Sequence, residues 1–71
     1  MTIYVWMTEA PEGGPCIVGM IIDGMHTPLV SVRERFARGS LREVAESQRT
    51  ATGQRTWLRR YEGSVDEEPL P

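Results

Sequence analysis

Residues 27–61 read TPLVSVRERFARGSLREVAESQRTATGQRTWLRRY, and this stretch decides how the chain folds. It holds all eight basic residues of the 71-residue chain, and every one of them is an arginine. The first half of the stretch predicts two short helices joined by a tight turn. The second half fits either a third helix or a strand. The rest of the chain is expected to support this unit or to extend from it.

The turn at Gly39 is the clearest local signal. Thr27 is a good N-cap and Pro28 suits the first helical position, where its missing N–H costs nothing, so a helix is predicted to begin there. Gly39 is expected to end this helix in the left-handed conformation. The predicted apolar stripe of the helix consists of Leu29, Val32 and Phe36.

A second helix is predicted to begin directly after the glycine. Ser40 and Glu43 have the S-x-x-E spacing of a capping box, in which each side chain bonds the backbone N–H of the other residue. Leu41, Val44 and Ala45 would form the apolar stripe. Two short helices joined at a glycine are expected to cross, and such a pair is the front half of a helix-turn-helix.

The N-terminal residues 2–22 predict a β-hairpin. Residues 2–8 and 15–22 are rich in β-branched and aromatic residues, and the segment between them contains proline and glycines suited to a turn. The first strand is apolar on both faces, so one face is expected to pack on the helices. The other face, with Tyr4 and Trp6, is expected to meet a partner, most simply in a homodimer.

Two alternatives fit the C-terminal part of the basic stretch. In the favoured one, residues 53–61 form a third helix, with Trp57 and Tyr61 in the core rather than stacked on bases. In the other, Gly53 ends the second helix and residues 55–61 form a third strand, which gives a ββαβ order. The run is too short for its periodicity to separate helix from strand.

Charge is segregated along the chain. Residues 1–32 carry a net charge of −3, residues 33–60 carry +5 and residues 61–71 carry −4, for a total of −2. The central excess indicates contacts with nucleic-acid phosphates, although a solvated helix surface would have the same composition. Residues 62–71, EGSVDEEPLP, predict an acidic disordered tail that follows a single domain of residues 1–61.

No residue pattern points to catalysis or to a bound metal. His26 and Cys16 are the only histidine and cysteine, and together they make neither a closed zinc site nor a complete catalytic triad. We therefore expect no enzyme activity, no metal and no cofactor. The single cysteine favours a reducing compartment, and no apolar run approaches the roughly 20 residues that span a bilayer. A cytoplasmic location is expected.

Two motifs resemble known families. SLREVAE at residues 40–46 followed by WLRRY at residues 57–61 resembles the helix-turn-helix of transposases and small repressors. GGPCIVG at residues 13–19, followed by residues 30–46, is similar to a family of small antitoxin-like proteins often found beside PIN-type ribonuclease toxins. The resemblance implies an α+β fold, in which an N-terminal β-hairpin precedes a helix-turn-helix-like unit of two or three helices over residues 27–61.

These observations predict a small, non-enzymatic DNA-binding regulator, antitoxin-like or repressor-like, that binds duplex DNA as a dimer. The alternative is a small phage-encoded inhibitor of anti-defence or anti-CRISPR type, which blocks a partner protein with its hairpin or its arginine face. The partner would then be a toxin or a defence-system component. The predicted nucleic-acid contacts are Arg42, Arg49, Arg55, Arg59 and Arg60.

Overall fold

The structure is a computed structural model that describes residues 1–63 and 68–70. Within these residues the chain forms six strands and two helices, and five of the strands precede both helices. The strands are β1 Thr2–Glu9, β2 Pro15–Ile17, β3 Gly19–Ile22, β4 Met25–Pro28, β5 Val30–Ser31 and β6 Thr56–Glu62. The helices are α1 Glu34–Arg38 and α2 Ser40–Thr52.

Strand β1 is the centre of the main sheet. One of its edges is paired with β6, which runs antiparallel from the Thr2–Glu62 pair to the Thr8–Thr56 pair. On the other edge, β2 pairs with the end of β1 and β5 pairs with its beginning, both antiparallel. The last strand of the chain therefore lies beside the first, and the helices connect the two edges of the sheet.

A second hairpin, formed by β3 and β4, extends from the edge of β1 that pairs with β2 and β5, and it lies between these two strands in the chain. Three backbone bonds close its base: the N–H of Val18 donates to the carbonyl of Trp6, that of Leu29 to Val18, and that of Trp6 to Leu29. Asp23 and Gly24 form its tip with φ of 51° and 78°. Two successive positive φ values are typical of a type I′ turn, which matches the twist of a two-residue hairpin.

The small core lies between the base of this hairpin and helix α2. Val18, Leu29 and Ala45 are buried together, and Leu29 is the largest fully buried side chain at 1% exposure. The helices cover one side of the sheet, where the indole N–H of Trp6 donates to the carbonyl of Ala37 at 2.9 Å. Partly buried side chains complete the packing, namely Trp6, Met20, Leu41 and Val44.

The predicted first helix is wrong over most of its length. Residues 27–31 lie in β4 and β5 or between them, and α1 begins only at Glu34. Of the predicted apolar stripe only Leu29 is buried, because Val32 is 62% and Phe36 is 49% exposed. The free edge of β1 offers backbone partners to Val30 and Ser31, and this tertiary pairing overrides the local capping signal.

Helix α2 begins at Ser40 as predicted, but its N-terminus differs from the expected one. Gly39 has φ −103° and ψ −98°, outside the left-handed region, and no side-chain capping bond forms there. The predicted capping box of Ser40 and Glu43 is therefore absent. Gly39 is the only residue between α1 and α2, so the pair forms one helical segment with a break rather than a crossing helix-turn-helix.

The favoured third helix over residues 53–61 is also wrong. Gly53 ends α2 in the left-handed conformation at φ 70°, and its N–H donates to the carbonyl of Arg49 at 2.8 Å. Thr56–Glu62 then pairs with Thr2–Thr8 of β1, which satisfies the backbone groups of an edge that a helix would leave open. The predicted hairpin followed by a two- or three-helix unit is thus contradicted, and residues 27–61 are not a helical unit.

Met1 and Gly63 meet beside the main sheet. The ammonium group of Met1 donates to the carbonyl of Gly63 at 2.8 Å, and the N–H of Gly63 donates to the carbonyl of Met1 at 3.3 Å. Ordered pairing therefore extends two residues beyond the predicted end of the domain. Of the predicted disordered tail, residues 64–67 and 71 lie outside the described residues. Neither helix in the described ranges is long and apolar enough to cross a membrane.

Candidate nucleic-acid interface

Strand β6 places two different sets of side chains on the two sides of the sheet, because successive residues of a strand point in opposite directions. Leu58 pairs with Trp6 of β1, whose indole bonds the helical segment, so Leu58 lies on the helix-covered side. The odd-numbered residues lie on the other side, which no helix of the described chain covers. We call this side the open face; its β6 residues are Arg55, Trp57, Arg59 and Tyr61, of which Arg55 immediately precedes the strand.

On the open face each arginine is held over an aromatic ring. The guanidinium carbon of Arg55 lies 4.6 Å from the centroid of the Trp57 ring, and that of Arg59 lies 5.9 Å from the Tyr61 ring. Arg59 also donates from Nη1 to the Tyr61 hydroxyl at 3.1 Å. These cation–π contacts order two positive groups beside two aromatic surfaces. Glu9 approaches Arg55 at 3.7 Å in an exposed pair that contributes little to stability.

The open face has an apolar floor beneath these side chains. Val5 and Met7 of β1 are buried there, with Met7 opposite Trp57 and Val5 opposite Arg59 in the pairing of the two strands. Ile17 and Val30 flank them and are exposed. The face therefore combines uncovered apolar surface with a row of arginines and aromatic rings. Beside it, a shallow hollow of about 330 Å³ is lined by Glu9, Gly14, Pro15, Arg55, Trp57 and Arg59.

A second arginine-rich surface lies on the helix-covered side, between the helical segment and β6. We call it the arginine cleft, and its volume is about 470 Å³. Arg38 and Arg42 each form an exposed i,i+4 pair, at 3.1 Å with Glu34 and 3.0 Å with Glu46 respectively. Arg49 has no carboxylate within 4.0 Å among the residues that the structure describes. The cleft is lined by Trp6, Arg38, Arg42, Ala45, Glu46, Arg49, Thr56 and Leu58.

A hydrogen bond ties the first strand to the start of the helical segment. The Tyr4 hydroxyl donates to Oε2 of Glu34 at 2.7 Å, and Oε1 of the same carboxylate accepts from Nε of Arg38 at 3.1 Å. The bond from Tyr4, and then that from Arg38, lower the pKa of Glu34 below its usual value. The bond to Glu34 raises the pKa of Tyr4. Both shifts have the same meaning: the hydrogen bond favours the ionised glutamate beside the neutral tyrosine.

Removing the Tyr4 hydroxyl is therefore expected to change the pH dependence of stability. The Glu34 contribution is complete above the ordinary glutamate pKa of about 4.3 and is lost as the pH falls through the lowered value in the folded protein. Tyr4→Phe should reduce this acid-side loss when urea unfolding is followed between about pH 2 and pH 7. Tyr61→Phe is the control, and an equal change in both variants would contradict the assignment.

Four of the five arginines predicted to contact nucleic acid are divided between the two surfaces, and the fifth lies outside both. Arg42 and Arg49 line the arginine cleft, whereas Arg55 and Arg59 lie on the open face. Arg60 lies on the helix-covered side of β6, where it is exposed and 3.5 Å from Glu62. The structure therefore places the five on opposite sides of one sheet and not on a single helical surface.

Tyr4 and Trp6, predicted as a partner interface, lie on the helix-covered side. Tyr4 is buried and bonds Glu34, and Trp6 is half-buried and bonds Ala37. The uncovered side of β1 carries Ile3, Val5 and Met7 instead. Both positions belong to one alternating set of β1, on the side that the helices cover and not on the open face.

Sequence reasoning did not assign Arg38 to a site, and it placed Trp57 and Tyr61 in the core. Arg38 joins Arg42 and Arg49 in the cleft because the three follow one side of the helical segment. Trp57 and Tyr61 lie on the open face with two arginines. The signal for this arrangement is the period-two pattern R-x-W-x-R-x-Y at residues 55–61.

Comparisons of the chain with models of protein families, with curated proteins and with solved structures found no match. The resemblance to small antitoxin-like proteins therefore stays a prediction. Within residues 1–63 and 68–70 there is also no group of three or more histidine, cysteine, aspartate or glutamate side chains placed to hold a metal ion. The open face and the arginine cleft are therefore the surfaces from which a function is inferred.

Proposed function

We propose that this protein binds single-stranded nucleic acid on the open face of its sheet. The main support is the alternation of residues 55–61, which places two guanidinium groups and two aromatic rings on a side that no described helix covers. Unpaired bases stack on aromatic side chains whatever their sequence, and arginines beside them contact the phosphates. Exposed sheets with aromatic residues bind single strands in this way.

The same geometry favours a single strand over the duplex DNA predicted from the sequence. The segment predicted as a third helix is strand β6, so residues 53–61 do not provide a helix that could enter the major groove of a duplex. Flat aromatic rings on a sheet are suited to unpaired bases, whose faces are accessible. We further propose that the protein acts in the cytoplasm without enzymatic chemistry, in agreement with its free Cys16.

Fluorescence anisotropy with labelled oligonucleotides tests the proposal. A thymidine or uridine strand of about eight nucleotides should bind more tightly than a duplex of about sixteen base pairs at the same salt concentration. The logarithm of the association constant should fall linearly with the logarithm of salt, with a slope of about −0.7 for each phosphate neutralised. Absence of binding at low salt, or a preference for duplex, would contradict the proposal.

A charge-neutral variant on the open face gives the sharper result. Arg55→Gln should weaken single-strand binding by about three- to tenfold and reduce the magnitude of the salt slope by roughly 0.7, since one phosphate contact is lost. Arg35→Gln is the matched control, because it removes the same charge from an exposed position of α1 that lines neither surface. An equal loss in both variants would show that only net charge matters.

The β3–β4 hairpin favours a second candidate function, binding to a protein. Ile22 and Met25 form a cross-strand pair on one side of the hairpin near its tip, where they are 45% and 70% exposed, and Ile21 is 65% exposed on the other side. Uncovered apolar side chains grouped at a projecting tip are typical of protein–protein contacts. We propose this surface for the inhibitor alternative, in which the hairpin blocks a toxin or a defence-system component.

Site-specific crosslinking in the producing cell tests this second candidate. A photoreactive residue at position 25 should capture one defined protein, and the additional change Ile22→Ser, at its cross-strand partner, should abolish that capture without changing the far-ultraviolet spectrum. The same photoreactive group at position 35 serves as the control. Identical products from both positions, or capture that Ile22→Ser leaves unchanged, would count against a docking function of the hairpin.

A further inference from the structure

The free edge of β6 separates the open face from the arginine cleft. Within the described chain β6 pairs only with β1, so its other edge faces solvent. Thr56 lines the cleft, and its neighbour Trp57 lies on the open face. The two surfaces are therefore one residue apart along the strand. A polymer bound to one of them reaches the other by crossing a single strand edge.

The distance across that edge is short for a nucleic-acid strand. Two stacked sheets pack about 10 Å apart, so the side chains on one side of a sheet occupy about 5 Å and those on its two sides together span about 10 Å. This corresponds to about three nucleotides at the B-form rise of 3.4 Å per strand, and to fewer if the strand is extended. The crossing therefore needs only a few nucleotides, which an otherwise unstructured strand can supply.

The arginine cleft has the charge that a phosphate chain requires. Its lining contains three arginines and one glutamate, and Arg49 has no carboxylate within 4.0 Å among the described residues. The pairs of Arg38 and Arg42 with glutamates are exposed, and such pairs are weak. A phosphate can replace the carboxylate and bind the guanidinium in two-point geometry. Trp6 and Leu58 add apolar surface on which a base or sugar can rest.

We propose that a single strand whose bases stack on the open face continues over the free edge of β6 and places its following phosphates in the arginine cleft. Arg42 and Arg49 are the principal contacts there. This inference rests on the proposed single-strand binding and adds the path of the strand. Two rings on the open face, a crossing of about three nucleotides and a few phosphates in the cleft give a site of about six to eight nucleotides, within the range of other single-strand binders.

Oligonucleotide length separates the two surfaces experimentally. Strands of about three and about eight thymidines are titrated against the wild-type chain, Arg49→Gln, Trp57→Leu and the control Arg35→Gln. Arg49→Gln should weaken binding of the long strand by about fivefold and leave that of the short strand within about twofold. Trp57→Leu should weaken binding of both. Native mass spectrometry should show one long strand per chain. Arg42→Gln repeats the cleft test, and circular dichroism verifies the fold of each variant.

Each other outcome has a defined meaning. If Trp57→Leu weakens binding and Arg49→Gln changes neither affinity, the strand does not reach the cleft and the inference is overturned while single-strand binding stands. Equal weakening of the short and the long strand by Arg49→Gln would make the cleft an independent site and overturn the crossing. If Arg49→Gln weakens binding of an acidic poly-glutamate peptide and not that of the long strand, the cleft binds a peptide and the inference is again overturned. Failure of any strand to bind the wild-type chain sinks the proposed function itself.

Discussion

Leu29→Ala is expected to lower the free energy of unfolding by about 2–5 kcal/mol, the range for removing a buried leucine side chain. Leu29 is 1% exposed and lies in the core with Val18 and Ala45. A core in a domain this small supplies only about 3–5 kcal/mol of net stability. The variant should therefore be largely unfolded at 25 °C, as measured by circular dichroism and urea titration.

Val32→Ala is the matched control for this prediction. Val32 is 62% exposed between β5 and α1, so shortening its side chain should change the free energy of unfolding by no more than about 0.5 kcal/mol. The pair also distinguishes two folds. In a helix over residues 28–38 the two side chains would share one buried stripe and both variants would be destabilised. Similar losses in both would contradict the strand arrangement described here.

The sequence pattern succeeds where local chemistry and tertiary pairing agree. The first strand is predicted at residues 2–8 and observed at Thr2–Glu9, because β-branched and aromatic residues alternate there with no competing helical signal. The first turn is also observed, but of the predicted second strand over residues 15–22 only Pro15–Ile17 pairs with β1, because Gly19–Ile22 pairs with Met25–Pro28 in the second hairpin. Gly53 ends α2, as predicted in the alternative with a third strand. It takes the left-handed conformation, where glycine has no steric penalty.

The sequence pattern predicts the wrong element where a segment with local helix signals forms backbone hydrogen bonds with an edge of β1 instead. Thr27 and Pro28 form a good helix start in isolation, yet β5 pairs with β1 only three residues later. Leu29 is apolar in either arrangement, so its burial does not separate helix from strand. The deciding interaction joins residues about 25 positions apart, and such a pairing leaves no trace in local periodicity.

The candidate site depends on the same ambiguity in β6. Trp57, Leu58 and Tyr61 suit one face of a helix at i, i+1 and i+4, and this spacing assigns the two aromatic residues to the core. In a strand, where side chains alternate with a period of two, Leu58 lies on one side of the sheet. Trp57 and Tyr61 lie on the other side with Arg55 and Arg59. Four of the arginines that the sequence pattern selected lie on the two surfaces, and their grouping is a property of the strand; they are Arg42, Arg49, Arg55 and Arg59. One secondary-structure choice therefore determines both the fold and the proposed mode of binding.

Trp57→Leu is expected to weaken single-strand binding by about 5- to 150-fold, which corresponds to the 1–3 kcal/mol per stacked base found in other single-strand binders. Leucine retains apolar contact with Met7, its partner across the strands, and removes the ring over which Arg55 is held. The variant should therefore remain folded while losing both the stacking surface and the ordered guanidinium. Anisotropy titrations at one salt concentration measure the loss.

Trp57→Phe is the control for this last prediction, because it keeps an aromatic ring and should retain most of the affinity. The chain has two tryptophans, and the indole of Trp6 is bonded to Ala37 on the opposite side of the sheet. Stacking of a base on Trp57 should quench tryptophan fluorescence in the wild-type chain. Titrated with a strand of about three thymidines, which is too short to extend from the open face to Trp6 in the arginine cleft, Trp57→Phe should bind with a much smaller change in emission. A folded Trp57→Leu variant with wild-type affinity would show that bases do not stack at this position and would exclude the open face as the binding surface.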